Sequence, residues 1–121
     1  MEKKIVSLHE VELSVVKTVG VIEFLNMEIE LEERCLNSHK EQVEAAKRIG
    51  DERLKAAHKA CIIDVRGTIK RLRSRREVQE EFLLKMWQLE YKDGNLYRYD
   101  DNDHEQWLME QVDPSLNGGV L

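Results

Sequence analysis

The chain has 121 residues, a net charge of −5, 41% hydrophobic and 36% charged residues, and only 6% aromatic residues. That is one domain's worth of chain. No apolar run approaches the ~20 residues of a membrane span, no signal-like apolar segment follows the start MEKKIVSLHEVE, and two cysteines are too few for a disulfide framework, so membrane proteins, secreted mini-proteins and large enzymes are set aside. High charge with a single proline points to long helices, and the expectation is a small cytoplasmic helical protein.

Residues 1–6 read as a frayed start. Ser7 and Glu10 have the spacing of a capping box, in which the hydroxyl takes an orphan N–H and the carboxylate reaches back. A first helix is expected from about residue 8 to 48. Its stripe is Leu8, Val11, Val15, Ile22, Leu25, Ile29, Leu36 and Val43, on a heptad-like spacing. Leu13, Val16, Phe24, Met27 and Leu31 lie on another side. Residues 11–31 are thus apolar on two sides and call for two partners. The alternations Val11-Leu13-Val15 and Met27-Ile29-Leu31 also suit short strands. Helix is the preferred reading, because Gly20 is the only turn signal between residues 8 and 36. Asn37-Ser38 marks a possible bend, with a second capping-box spacing from Ser38 to Glu41.

Gly50-Asp51 is stronger punctuation, a glycine suited to a helix end followed by a good N-cap. A second helix is expected over about 51–86. Its stripe is Leu54, His58, Cys61, Val65, Thr68 or Ile69, and Leu72, resuming at Val78, Phe82, Leu83 and Met86. The two helices form an antiparallel, coiled-coil-like hairpin whose facing residues have numbers summing to about 97, with arms ~60 Å long at ~1.5 Å per residue. A twofold dimer of such hairpins, a four-helix bundle, would cover the second apolar side.

Aromatic alternation around Lys92-Asp-Gly-Asn95 signals a β-hairpin. Asp103 and Gln106 cap a short helix over 104–112, which Pro114 stops. The expected organisation is a helical hairpin over 1–86, a hairpin-plus-helix subdomain over 87–114, and a flexible tail over 115–121.

The charge is blocked. Residues 1–46 carry a net −5, residues 47–76 a net +8, and residues 77–121 a net −8. The basic second arm can be answered by Glu28, Glu30, Glu32 and Glu33 of the first arm. It can also track a phosphate backbone through Lys70, Arg71, Arg73, Arg75 and Arg76, with Ser74 as a donor. The last acidic block has no complement in the chain. It carries Trp87, Tyr91, Tyr97, Tyr99, Asp100, Asp101 and Trp107, and tryptophan and tyrosine are enriched at binding hot spots.

Cys35 and His39 are at i, i+4, and His58 and Cys61 are at i, i+3, so each pair shares a helix face. The hairpin would bring the four to similar levels. They could form a tetrahedral zinc site or a cross-arm disulfide, or be ordinary seam residues, which is the preferred reading. Asp100, Asp101 and Asp103 lack the glycine and glutamate of a calcium loop, and His104-Glu105 lacks the second histidine of a metalloprotease helix. No metal or cofactor is expected, and no catalytic motif stands out. The expectation is a non-enzymatic, homodimeric regulatory adaptor that binds an unidentified protein partner through its acidic, aromatic C-terminal third. The alternative is a nucleic-acid-binding dimer using Lys70 to Arg76.

Overall fold

Gly50 has φ +73°, a backbone conformation that glycine alone enters without a Cβ penalty. It closes the first helix in a Schellman motif. The Asp51 N–H donates to the Ala46 carbonyl at 3.0 Å, and the Gly50 N–H to the Lys47 carbonyl at 3.3 Å. Asp51 then caps the next helix, its Oδ1 accepting from the Leu54 N–H at 3.0 Å. Helix α1 is Leu13–Ile49 and helix α2 is Glu52–Trp87, the two arms of a helical hairpin. This computed structural model describes residues 3–99. The expected helix over 104–112 and tail over 115–121 lie outside the described residues.

The described residues fall into two compact units, residues 19–79 and a second unit joining residues 3–18 with 80–99. In the first unit the arms meet along a 3–4 seam. Ile22, Leu25, Ile29, Glu32, Leu36, His39, Val43 and Ala46 are buried or half-buried on α1. His58, Ile62, Val65, Ile69, Leu72, Arg76 and Gln79 are so on α2. Burying one such Ile or Leu removes enough apolar surface to contribute about 1.5–3 kcal/mol. The seam is therefore continuous but polar in places.

The second unit holds a three-stranded antiparallel sheet of order β1-β3-β2, with β1 Lys3–Val6, β2 Leu89–Lys92 and β3 Asn95–Tyr99. Asp93 (φ +52°) and Gly94 (φ +81°) form the tight β2–β3 turn, whose positive φ values match the twist of paired strands. Val6, Leu89 and Leu96 stand on one face and are buried, with Val15, Thr18 and Leu83 buried in the same unit.

Three expectations are corrected. Residues 3–6 are not part of a frayed start, since Lys3–Val6 pairs with β3 in the register Lys3↔Tyr99 to Val6↔Leu96. A lone hairpin is marginal in water, and this third strand relieves it. The first helix begins at Leu13 rather than residue 8. Ser7 caps a separate 3₁₀ turn, Leu8–Glu10, by accepting from the His9 N–H, and Val11 is extended. Finally, the second-arm stripe does not resume at Val78, Phe82 and Met86, which are exposed. It continues in step through Arg76 and Gln79 to Leu83. The side chain that keeps the 3–4 rhythm stays inward, even where it is polar.

Residues 11–15 and 27–31 do not form strands. Both alternating runs lead into or lie within α1.

Candidate functional site

The basic segment of α2 is partly committed to the first arm. Arg73 Nη2 donates to Glu33 Oε1 at 2.8 Å, and Arg76 Nη1 donates to Asn26 Oδ1 at 2.9 Å. Arg71 Nη2 turns back to Thr68 Oγ1 at 3.1 Å. Lys70 and Arg75 are exposed. An open groove of about 720 Å³ lies between the arms here. Arg66, Lys70, Arg73 and Ser74 line it together with Glu33, Glu77 and the apolar Leu36 and Ile69. Both cross-arm contacts have residue numbers summing above the expected 97, because the turn falls between Ile49 and Glu52, later than the centre near residue 48 or 49 that the sequence suggested.

The strand register separates the predicted aromatic set. Tyr97 and Tyr99 share one face of the sheet with Lys3, Ile5 and Glu90, while Tyr91 lies on the opposite face with Leu89 and Leu96. Trp87 ends α2, and its indole N–H is buried with no acceptor among the described residues. Asp100, Asp101 and Trp107 lie outside the described residues.

On the tyrosine face, Lys3 Nζ donates to Glu90 Oε1 at 2.7 Å and Tyr99 Oη donates to Glu90 Oε2 at 2.9 Å. The same ammonium stands 5.9 Å from the Tyr97 ring centroid and 5.6 Å from that of Tyr99, within cation–π range. The hydrogen bond from Lys3 holds the Glu90 carboxyl below its ordinary range. The hydrogen bond to Glu90 raises the Lys3 ammonium. Burial, reinforced by the Glu90 carboxylate, pushes the Tyr99 phenol up. Ile5 projects beside these groups, 68% exposed. Sequence reasoning missed Lys3, Ile5 and Glu90. The signal for them was slight, a four-residue strand with two β-branched residues ahead of a capping serine.

The Cys/His set comes together only in part. His39 and His58 meet across the arms, with Nδ1 to Nδ1 at 2.8 Å and ring centroids 5.1 Å apart. Cys35 is exposed, Cys61 is half-buried, and both are free thiols. Among the described residues no group of three or more His, Cys, Asp or Glu side chains is arranged to hold a metal ion.

The second apolar side of α1 is open. Phe24, Met27 and Leu31 are 59%, 60% and 51% exposed. With Gly20 they fall within a narrow arc of the helix, on the side opposite the seam. A Cβ added at Gly20 would meet nothing within 4 Å. Among the described residues no helix is long and apolar enough to cross a membrane. No protein-family model, curated protein or solved structure matches this chain.

Proposed function

We propose that this chain is a non-enzymatic protein-binding module that works as a homodimer of helical hairpins. The carrying observation is the outer stripe Phe24, Met27 and Leu31, exposed on a helix whose other side already fills a seam. A contiguous apolar stripe on an otherwise charged helix marks an interaction face. Its 4–3–4 spacing from Gly20 matches the period of another helix packing along it. Gly20 is an exposed glycine inside a helix, locally unfavourable by about 1 kcal/mol, and it leaves room for a second backbone to approach. A second copy offers the same stripe, so a twofold contact is self-complementary and yields a four-helix bundle.

The surface offered to another protein is the tyrosine face of the sheet, Ile5, Tyr97 and Tyr99 around the Lys3–Glu90 pair. Tyrosine beside an exposed aliphatic residue supplies contact area with few torsions to freeze. Sedimentation equilibrium at micromolar concentration tests the dimer. A dimer that Phe24→Glu or Leu31→Glu converts to a folded monomer supports it, and a monomeric wild type overturns it. The partner surface is tested by replacing Tyr97 and Tyr99 with alanine in the dimer, which should abolish partner binding without changing the assembly.

A second reading is supported by the groove beside Lys70 and Ser74. Its mouth carries Arg66, Lys70 and Arg73, a spacing that suits a phosphate backbone laid along one helix face. Glu33 and Glu77 in the same groove oppose it. Duplex and single-strand binding across a salt series decides. An affinity that falls with salt, and is lost when Arg73, Arg75 and Arg76 are replaced together, favours nucleic acid.

A further inference from the structure

His39 and His58 are out of character with their surroundings. Both occupy seam positions, one on each arm, between layers formed by Leu36, Val43, Ile62 and Val65. Two imidazoles there bury polar atoms where an aliphatic pair would pack at lower desolvation cost. Their ring nitrogens stand 2.8 Å apart, so one Nδ1 carries the proton and the other offers its lone pair.

We propose that His39 and His58 form a two-imidazole site for a divalent transition ion such as Zn²⁺, bridging the two arms of the hairpin. The geometry is close to that of a shared ion. With Zn–N bonds of ~2.0–2.1 Å in tetrahedral geometry, two nitrogens on one zinc are about 3.3 Å apart. The pair needs to open by about half an ångström, within the reach of small χ rotations. The proton that joins the rings moves to Nε2 of the same imidazole, so both Nδ1 lone pairs face the ion and no net charge leaves the protein. Neutral imidazole is a good ligand for this class of ion. Water completes the coordination, since Cys35 is exposed and no third ligand side chain is arranged at the site. The site is independent of the outer stripe and of the tyrosine face.

The consequence is a metal-dependent clasp in the part of the hairpin nearest its turn. An ion that binds the folded chain better than the unfolded one raises stability by mass action. Isothermal titration and thermal unfolding of the full chain with ZnCl₂, up to on the order of 1 mM free Zn²⁺, test it. One Zn²⁺ per chain and a rising melting temperature are expected. His39→Ala and His58→Ala each weaken binding by at least about tenfold, since losing even an outer-shell partner of a metal ligand costs that much. His39→Asn and His58→Asn, which keep a polar side chain of similar reach, give the same loss with unchanged helical circular dichroism. His9→Ala, at an exposed residue, leaves binding as it was. The combined Cys35→Ser and Cys61→Ser chain binds as wild type does. No binding across the range overturns the proposal. So does equal binding by the His39 variants, or a cysteine double variant that loses the ion as the histidine variants do.

Discussion

Lys3 and Glu90 stand on the two outer strands of the sheet, yet their side chains meet at 2.7 Å over the middle strand. The Glu90 carboxyl lies below its ordinary range chiefly because Lys3 donates to it. Its contribution is complete above the ordinary glutamate range of ~4.3 and is lost as pH falls through the lowered value. The Lys3 ammonium is raised, chiefly by the same hydrogen bond. Its contribution is complete below the ordinary lysine range of ~10.4 and is lost as pH rises through the raised value. Tyr99, raised chiefly by burial, adds a loss in the same alkaline direction. Because the pair is about one-third exposed, solvent screens it to about 0.5 kcal/mol. Unfolding of wild type and Glu90→Gln at acid, neutral and alkaline pH should show the two converging at both extremes.

Phe82 and Leu83 are sequence neighbours with opposite environments, 38% and 0% exposed. Leu83→Ala should cost about 2–5 kcal/mol through lost burial and the cavity left behind. Phe82→Ser should stay within about 0.5 kcal/mol, as an exposed substitution does. Denaturant midpoints at constant slope distinguish them, and equal losses would contradict the observed phase of the α2 seam.

Two left-handed residues end the two helices. Gly50→Ala puts a Cβ where φ is +73° and should destabilise by about 1 kcal/mol. Gln88 already carries a side chain at φ +55°. Gln88→Gly should therefore stabilise by about 0.5–1 kcal/mol, read in the same melting experiment.

Gly20→Ala separates the stability of the arm from its assembly. The added methyl meets open space and improves helix propensity by about 1 kcal/mol. The chain should melt higher when dilute. If a second backbone approaches at Gly20, the same methyl weakens the dimer, and sedimentation should show a larger dissociation constant.

Arg73→Ala removes a cross-arm ion pair between side chains about half exposed. A loss below about 1 kcal/mol, shrinking with added salt, is expected.

The helical hairpin was legible because its signals are local. Gly50-Asp51 specifies the turn, and Ile22, Leu25, Ile29, Leu36 and Val43 mark the inward face of α1 by their 3–4–7 spacing. The phase of α2 beyond Leu72 was not legible. Arg76 and Gln79 hold the inward positions there, and hydrophobicity alone favours Val78 and Phe82. The Asp-Gly turn named the β2–β3 hairpin, whereas β1 gains its meaning from a partner 96 positions away, which no local pattern encodes. The histidine contact was legible as a level across the arms. The cysteines were grouped with it because spacing along one helix does not fix which side chains turn inward.

Contacts across the chain lengthen steadily away from Gly50. His39 meets His58 over 19 positions, Asn26 meets Arg76 over 50, and Lys3 meets Glu90 over 87. The entropy of closing a loop rises with its length, and each inner contact shortens the loop that the next must close. Assembly should therefore run as a zipper from the turn outward, with the first strand the last segment to arrive. The same order in reverse makes residues 3–6 the first to leave. Their departure uncovers the middle strand along one edge, so the earliest opening of this fold exposes an unpaired β-strand while the helices remain intact.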